Sequence, residues 1–122
     1  MSNFNLTFIP PEDLSKRARP EETHILIMEA TPYPDGRRVR LNLEMTPFQV
    51  RPHIEIRVTN AEGEEVALVS IIEPMSWKVE LTLHLRDGGG HNPYTAEALL
   101  FYPDGPQDAP RTLTFEAIHS AS

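Results

Sequence analysis

The sequence predicts an all-β protein, a seven- to eight-stranded antiparallel β-sandwich. Three observations predict it. Twelve prolines and six glycines are spread along 122 residues and cut the chain into short pieces. No segment carries apolar residues at helical spacing over several turns. Short runs of alternating apolar and polar residues recur about every ten positions, each bounded by turn formers.

The elements follow in order. "HILIMEA", from His24 to Ala30, opens the regular part and is apolar on both faces, the pattern of a strand covered twice or shifted in phase. "RRVRLNLEM" places Val39, Leu41, Leu43 and Met45 on one face and Arg38, Arg40, Asn42 and Glu44 on the other. "HIEIRVT" repeats this alternation with Ile54, Ile56 and Val58 inward. "EVALVSII" is again apolar on both sides, and "WKVELTLHLR" turns Val79, Leu81, Leu83 and Leu85 inward. "YTAEALLFY" and "TLTFEAI" complete seven strands at the spacing of a sandwich.

Residues 1–21 stand apart from the sandwich domain, 22–122. "NFNLTFI" alternates Phe4, Leu6 and Phe8 on one side, a candidate eighth strand, and "PPEDLSKRARPEE" reads as a proline-bounded charged linker. Such an arm is able to pair with its own sandwich edge or with a neighbour's.

"YPDG" occurs twice, at Tyr33–Gly36 and Tyr102–Gly105. The flanks differ, so the repeat is not a duplication. Proline presets the second turn position, Asp tolerates the third, and Gly takes a positive φ at the exit, so both copies are read as turns between strands.

The strand order resembles an immunoglobulin-like or fibronectin type III-like sandwich. "GGGHNPYTAEALLFYPDG", Gly88 to Gly105, carries the resemblance. It implies that Tyr94 is a tyrosine corner whose hydroxyl bonds back to the corner backbone, with Ala96 inward. The inter-sheet cysteine pair of antibody domains is absent, and Trp77 opens the fifth strand instead of lying on the second or third. The short "TNAEGEE" connection favours the fibronectin-like order, with strand four beside strand three. A superfold of this kind implies no function.

Charge and motifs narrow the function classes. Net charge is −7 and the basic residues are scattered, so no nucleic-acid footprint is present. No run approaches a membrane span, and "MSNFNLTFIPPEDLSK" shows no secretory leader, so a soluble cytoplasmic protein is expected. There is no cysteine. The five histidines, His24, His53, His84, His91 and His119, show no metal-ligand spacing. "DGGGHN" leads from strand to strand, without the helix or the Lys-Ser/Thr of a phosphate loop. No catalytic residue, cofactor or metal is assigned.

What remains is a partner surface. With Tyr94, Ala96, Ala98 and Leu100 inward, Leu99 and Phe101 point out. On strand four either Val66 and Leu68 or Val69 and Ile71 must also face out, and Val69 and Ile71 are assigned. The expected function is a non-enzymatic protein-interaction or assembly module. It would use Leu99, Phe101, Val69 and Ile71 on one sheet, the arm residues Phe4, Leu6 and Phe8, or both, toward another protein or a second copy of the chain. The alternative is a ligand- or Ca²⁺-binding domain using the acidic loops that carry Asp35, Asn60, Glu62, Glu64, Asp87 and His91 at one end.

Overall fold

The computed structural model describes residues 17–118. Seven strands form where the alternation predicts them: β1 (Ile25–Pro32), β2 (Arg38–Met45), β3 (His53–Thr59), β4 (Glu65–Ile72), β5 (Lys78–His84), β6 (Tyr94–Phe101) and β7 (Arg111–Phe115). They build two antiparallel sheets, ordered β1-β2-β5 and β4-β3-β6-β7. β4 lies beside β3, as the short connection predicts. The inward residues of β2, β3 and β6 are all buried, and they pack face to face as the core. The expected eighth strand lies outside the described residues.

Two bulges explain the strands that looked apolar on both faces. In β1 the register shifts between Ile25 and Ile27, so Ile25 and Met28 are buried while Leu26 and Ile27 are exposed. β1 is therefore an edge strand wet on its outer face, and no described element covers that face.

The second bulge corrects the face assigned to strand four. The β3–β4 turn is pinned by Asn60: its N–H donates to the Glu64 carbonyl at 2.9 Å, and Gly63 takes a positive φ of 81°. Counted straight from that turn, the ladder would bury Val66, Leu68, Ser70 and Ile72 and expose Val69 and Ile71. Instead Thr59 pairs with Glu65 and Val58 with Ala67, so Val66 is the extra residue and is buried together with Ala67. Beyond it every side chain changes face. Val69 and Ile71, opposite Ile56 and Ile54, turn into the core, and Leu68, Ser70 and Ile72 turn out. The exchange is favourable because it takes the Ser70 hydroxyl out of an apolar interior. The displaced Val66 carbonyl accepts the Arg86 N–H at 2.9 Å, which ties β4 to the chain just after β5.

The two "YPDG" turns close alike and then diverge. Gly36 N–H donates to the Tyr33 carbonyl at 3.0 Å and Gly105 N–H to the Tyr102 carbonyl at 2.9 Å. Gly36 takes φ 69°, but Gly105 is not among the positive-φ glycines, so only the first copy requires glycine for its backbone. Tyr33 packs under the Arg38 guanidinium, whereas Tyr102 is buried and donates to the Val50 carbonyl at 2.7 Å.

The last part of the charged segment lies against the sandwich. Ala18 is buried and bridges to Phe48, with its N–H on the Pro47 carbonyl at 2.8 Å. Arg17 sits over the Trp77 ring at 5.2 Å, and Pro20–Glu22 form a single 3-10 turn.

Candidate functional site

Apolar side chains on a face that should be wet mark the outer surface of β4-β3-β6-β7. The strand register sets them in rows. Ile72, His53 and Phe101 share one row, Ser70, Glu55 and Leu99 the next, and Leu68, Arg57 and Glu97 the third. Two apolar columns thus flank β3, Leu68 and Ile72 on one side and Leu99 and Phe101 on the other. His53 bridges them, its ring centroid 5.5 Å from that of Phe101. Ile72 is 67% exposed and Leu68 46% exposed, while Leu99 and Phe101 are half-buried among their neighbours. Exposed Val50 and Met75 lie in the loops at the Ile72 end of the sandwich. Charge lies on β3 between the columns and at one end of them: Glu55, between Ser70 and Leu99, and Glu97, beside Arg57, are half-buried, and Arg57 pairs with Glu65 at 2.9 Å.

Of the residues assigned from sequence, Leu99 and Phe101 lie on this face. Val69 and Ile71 do not, for the bulge turns them inward. Phe4, Leu6 and Phe8 lie outside the described residues. The sequence reading missed Ile72 and set Leu68 aside. The four consecutive apolar residues Val66 to Val69 fit either phase, so no local signal in the sequence places the bulge that would have found both.

The outer face of β1-β2-β5 is mainly polar. Arg40 lies 3.6 Å from Glu80 and Arg38 pairs with Asp35 at 2.8 Å. Its apolar departures are Leu26 and Ile27, both exposed at the β1 bulge. A shallow depression of about 280 Å³ lies there, lined by Ile27, Glu29, Asn42, Leu43, Glu44, Lys78, Val79 and Glu80. Small-molecule pockets usually occupy about 300–1,000 Å³, so this depression falls just below that range.

The acidic loops do converge at one end. Asn60 Nδ2 donates to Asp87 at 3.2 Å and to Glu64 at 3.1 Å, and Ala61 N–H donates to the His91 carbonyl at 3.0 Å. The Asp87 carboxylate also accepts from Gly89 N–H at 3.0 Å and from the Tyr94 hydroxyl at 3.0 and 3.1 Å. Tyr94 Oη in turn accepts the His91 N–H at 3.1 Å, so the hydroxyl bonds back to the corner backbone as expected of a tyrosine corner. Burial alone raises the Asp87 pKa, but the donors from Gly89, Asn60 and Tyr94 and the nearby His91 outweigh it and hold the carboxyl below its ordinary value. Burial first, and then the Asp87 charge, push the Tyr94 hydroxyl above its ordinary value. These oxygens bind the loops to one another. Among the described residues no group of three or more His, Asp or Glu is arranged to hold a metal ion. His53 and His84 lie in different sheets, His24 meets Asp108 at 3.0 Å, and His91 meets Glu62 at 3.6 Å. No helix among the described residues is long and apolar enough to cross a membrane.

No known protein family and no curated protein matches the chain. Among solved structures, one from a computer-based redesign of a β-sandwich protein superposes with a TM-score of 0.57 at 14% identity, covering 80% of this chain and 96% of that one. A part of the apo structure of Bacteroides uniformis β-glucuronidase 3 superposes at TM-score 0.48 and 18% identity, covering 77% of this chain and 12% of that one. At 14% identity the first likeness carries fold and nothing of function. Over its described residues the chain is an all-β, seven-stranded, two-sheet antiparallel sandwich, similar in topology to immunoglobulin-like and fibronectin type III-like domains at the level of the superfold.

Proposed function

We propose that this protein is a non-enzymatic interaction or assembly module of fibronectin type III-like strand order, and that the outer face of β4-β3-β6-β7 is its contact surface. The observation that carries the reading is the pair of apolar columns, Leu68 with Ile72 and Leu99 with Phe101, on a face that needs none of them for the core. Exposed apolar patches are characteristic of protein contact surfaces. The partner proposed is a second copy of the chain. A two-fold contact sets the same residues against each other from both sides, so the apolar columns of one copy would cover those of the other.

Light scattering on a sizing column tests this. The mass should rise toward twice the 13.8 kDa monomer as protein concentration increases. Phe101→Asp should return the protein to monomer by placing an unpaired charge within the contact. A monomer at every concentration would overturn the self-association.

A further inference from the structure

Four strands lie at sheet edges, β1 and β5 in one sheet and β4 and β7 in the other. Three of them carry the charges or proline that discourage pairing with another strand: Glu29 and Pro32 on β1, Lys78, Glu80 and His84 on β5, and Arg111 on β7. β4 differs. From Val66 to Ile72 it reads "VALVSII", with no charge, no proline and a majority of β-branched residues, the composition that favours strand pairing.

The ladder fixes which backbone groups of β4 are open. Glu73 N–H donates to the Pro52 carbonyl at 3.0 Å, in the register that sets Ile54 opposite Ile71 and Ile56 opposite Val69. Hydrogen-bonded pairs recur at every second residue, so Ala67, Val69 and Ile71 bond to β3. The N–H and C=O groups of Leu68, Ser70 and Ile72 point away from it and have no partner strand among the described residues. Both ends of this row are closed. The Glu65 carbonyl accepts Arg86 Nη2 at 3.0 Å, and the Val66 carbonyl accepts the Arg86 N–H at 2.9 Å. Past Ile72 the backbone leaves the strand at Glu73, whose φ is 52°. The open stretch therefore runs from Leu68 to Ile72, with Ser70 at its centre.

We propose that this edge pairs antiparallel with the same edge of a second copy, about a two-fold axis at Ser70, and so joins two four-stranded sheets side by side. The second copy is the occupant because the stretch is its own complement. In a register centred on Ser70, Leu68 stands opposite Ile72 of the other copy on the outer face, and Val69 opposite Ile71 on the inner face. The two Ser70 hydroxyls meet at the axis. The open groups belong to even-numbered residues, and this register pairs even with even, so Leu68 exchanges bonds with Ile72 and Ser70 with Ser70. Val69 and Ile71, only partly covered in the single chain, gain cover from each other. This contact uses the edge and its backbone, not the outer face assigned above, and neither reading rests on the other.

Amide hydrogen exchange by NMR on the full chain across a dilution series tests it. The amides of Leu68, Ser70 and Ile72 should gain about tenfold protection as concentration rises from dilute to about ten times the dissociation constant. Those of Ala67, Val69 and Ile71, bonded to β3, should stay protected throughout and report an intact sandwich. The gain should survive Phe101→Asp, which disables the outer face, and should vanish at Leu68 and Ile72 in Ser70→Pro, which removes a donor that β3 does not use. No gain at any concentration, or a gain that persists in Ser70→Pro, would overturn the proposal. A gain abolished by Phe101→Asp would overturn it in favour of the outer face. Full protection even in the dilute sample would overturn the second copy as occupant and assign the edge to the same chain.

Should Ser70→Pro not fold, Ser70→Cys decides. The chain has no cysteine of its own, and a hydrogen-bonded antiparallel pair sets its Cα atoms about 5.5 Å apart, within disulfide range. Mild oxidation should link Ser70→Cys into a dimer and leave Leu68→Cys, about 14 Å from its counterpart, unlinked. No link at position 70, or equal linking at both positions, would overturn the pairing.

Discussion

Tyr94→Phe removes a single oxygen and tests the hydrogen-bond network at the acidic end. The ring is fully buried and stacks on Phe115 with centroids 5.5 Å apart, so a phenyl group keeps the packing. The lost hydroxyl donates to the Asp87 carboxylate at 3.0 Å and accepts the His91 N–H at 3.1 Å. A hydrogen bond to a charged group contributes about 1.5–3 kcal/mol, and the stranded His91 N–H adds to the loss where water does not reach it. Asp87 keeps its bonds from Gly89 and Asn60, which limits the damage. The expected loss is about 2 kcal/mol, or roughly 10 °C in Tm for a domain of about 100 residues. Urea unfolding followed by Trp77 emission measures it. The effect should also depend on pH. The Asp87 pKa is depressed in the fold, so its contribution is present above the unfolded carboxyl pKa and is lost as pH falls through the folded value. The gap between wild type and Tyr94→Phe should narrow over that acidic window. A loss below about 0.5 kcal/mol, within the range of ordinary surface substitutions, would refute the assigned role of the hydroxyl.

Other outcomes follow from the same geometry. Val69→Asp places a charge against the core and should cost about 3 kcal/mol or more, whereas Ile72→Asp, three residues on but facing out, should cost about 0.5 kcal/mol or less; denaturant midpoints compare the two. Gly89→Ala should melt well below Gly90→Ala. Both glycines take positive φ, but only at Gly89 would the added Cβ collide with the Gly36 carbonyl oxygen. Stability should also fall as pH rises above about 10, the ordinary pKa of tyrosine. Burial raises the Tyr94 and Tyr102 hydroxyls, so the folded state holds protons that the unfolded chain releases, and stability is full below the unfolded pKa. Tyr102→Phe, assayed by thermal melting at pH 7 and pH 11, should lose part of that alkaline sensitivity.

Wherever the ladder is regular, the alternation in the sequence located the strands and their inward faces. β2, β3 and β6 needed nothing more, because each side chain's face follows from its parity. The tyrosine corner was legible because it depends on a local run, "GGGHNPY". Strand four was not, because its face depends on one inserted residue. Val66 satisfies both phases as an apolar side chain, and the choice is made across the sheets, where Arg86 takes its carbonyl and Ser70 is turned to water. Leu99 and Phe101 were found through the parity of β6, while Leu68 and Ile72 depended on the bulge. The mutual use of Asn60, Asp87 and Tyr94 was equally hidden, since Asn60 comes from the β3–β4 turn, Asp87 from the β5–β6 connection and Tyr94 from the start of β6, and Asn60 meets the other two only once both sheets are assembled.

The central claim is that the outer face of β4-β3-β6-β7 is a contact surface between copies. Hydroxyl-radical footprinting across a dilution series tests it most directly, by reading the accessibility of Leu68, Ile72, Leu99 and Phe101 separately from that of Leu26 and Ile27 on the other sheet. The account predicts that the first four become protected together as concentration rises while Leu26 and Ile27 stay reactive. Unchanged reactivity of the four at every concentration, or protection confined to Leu26 and Ile27, would contradict it.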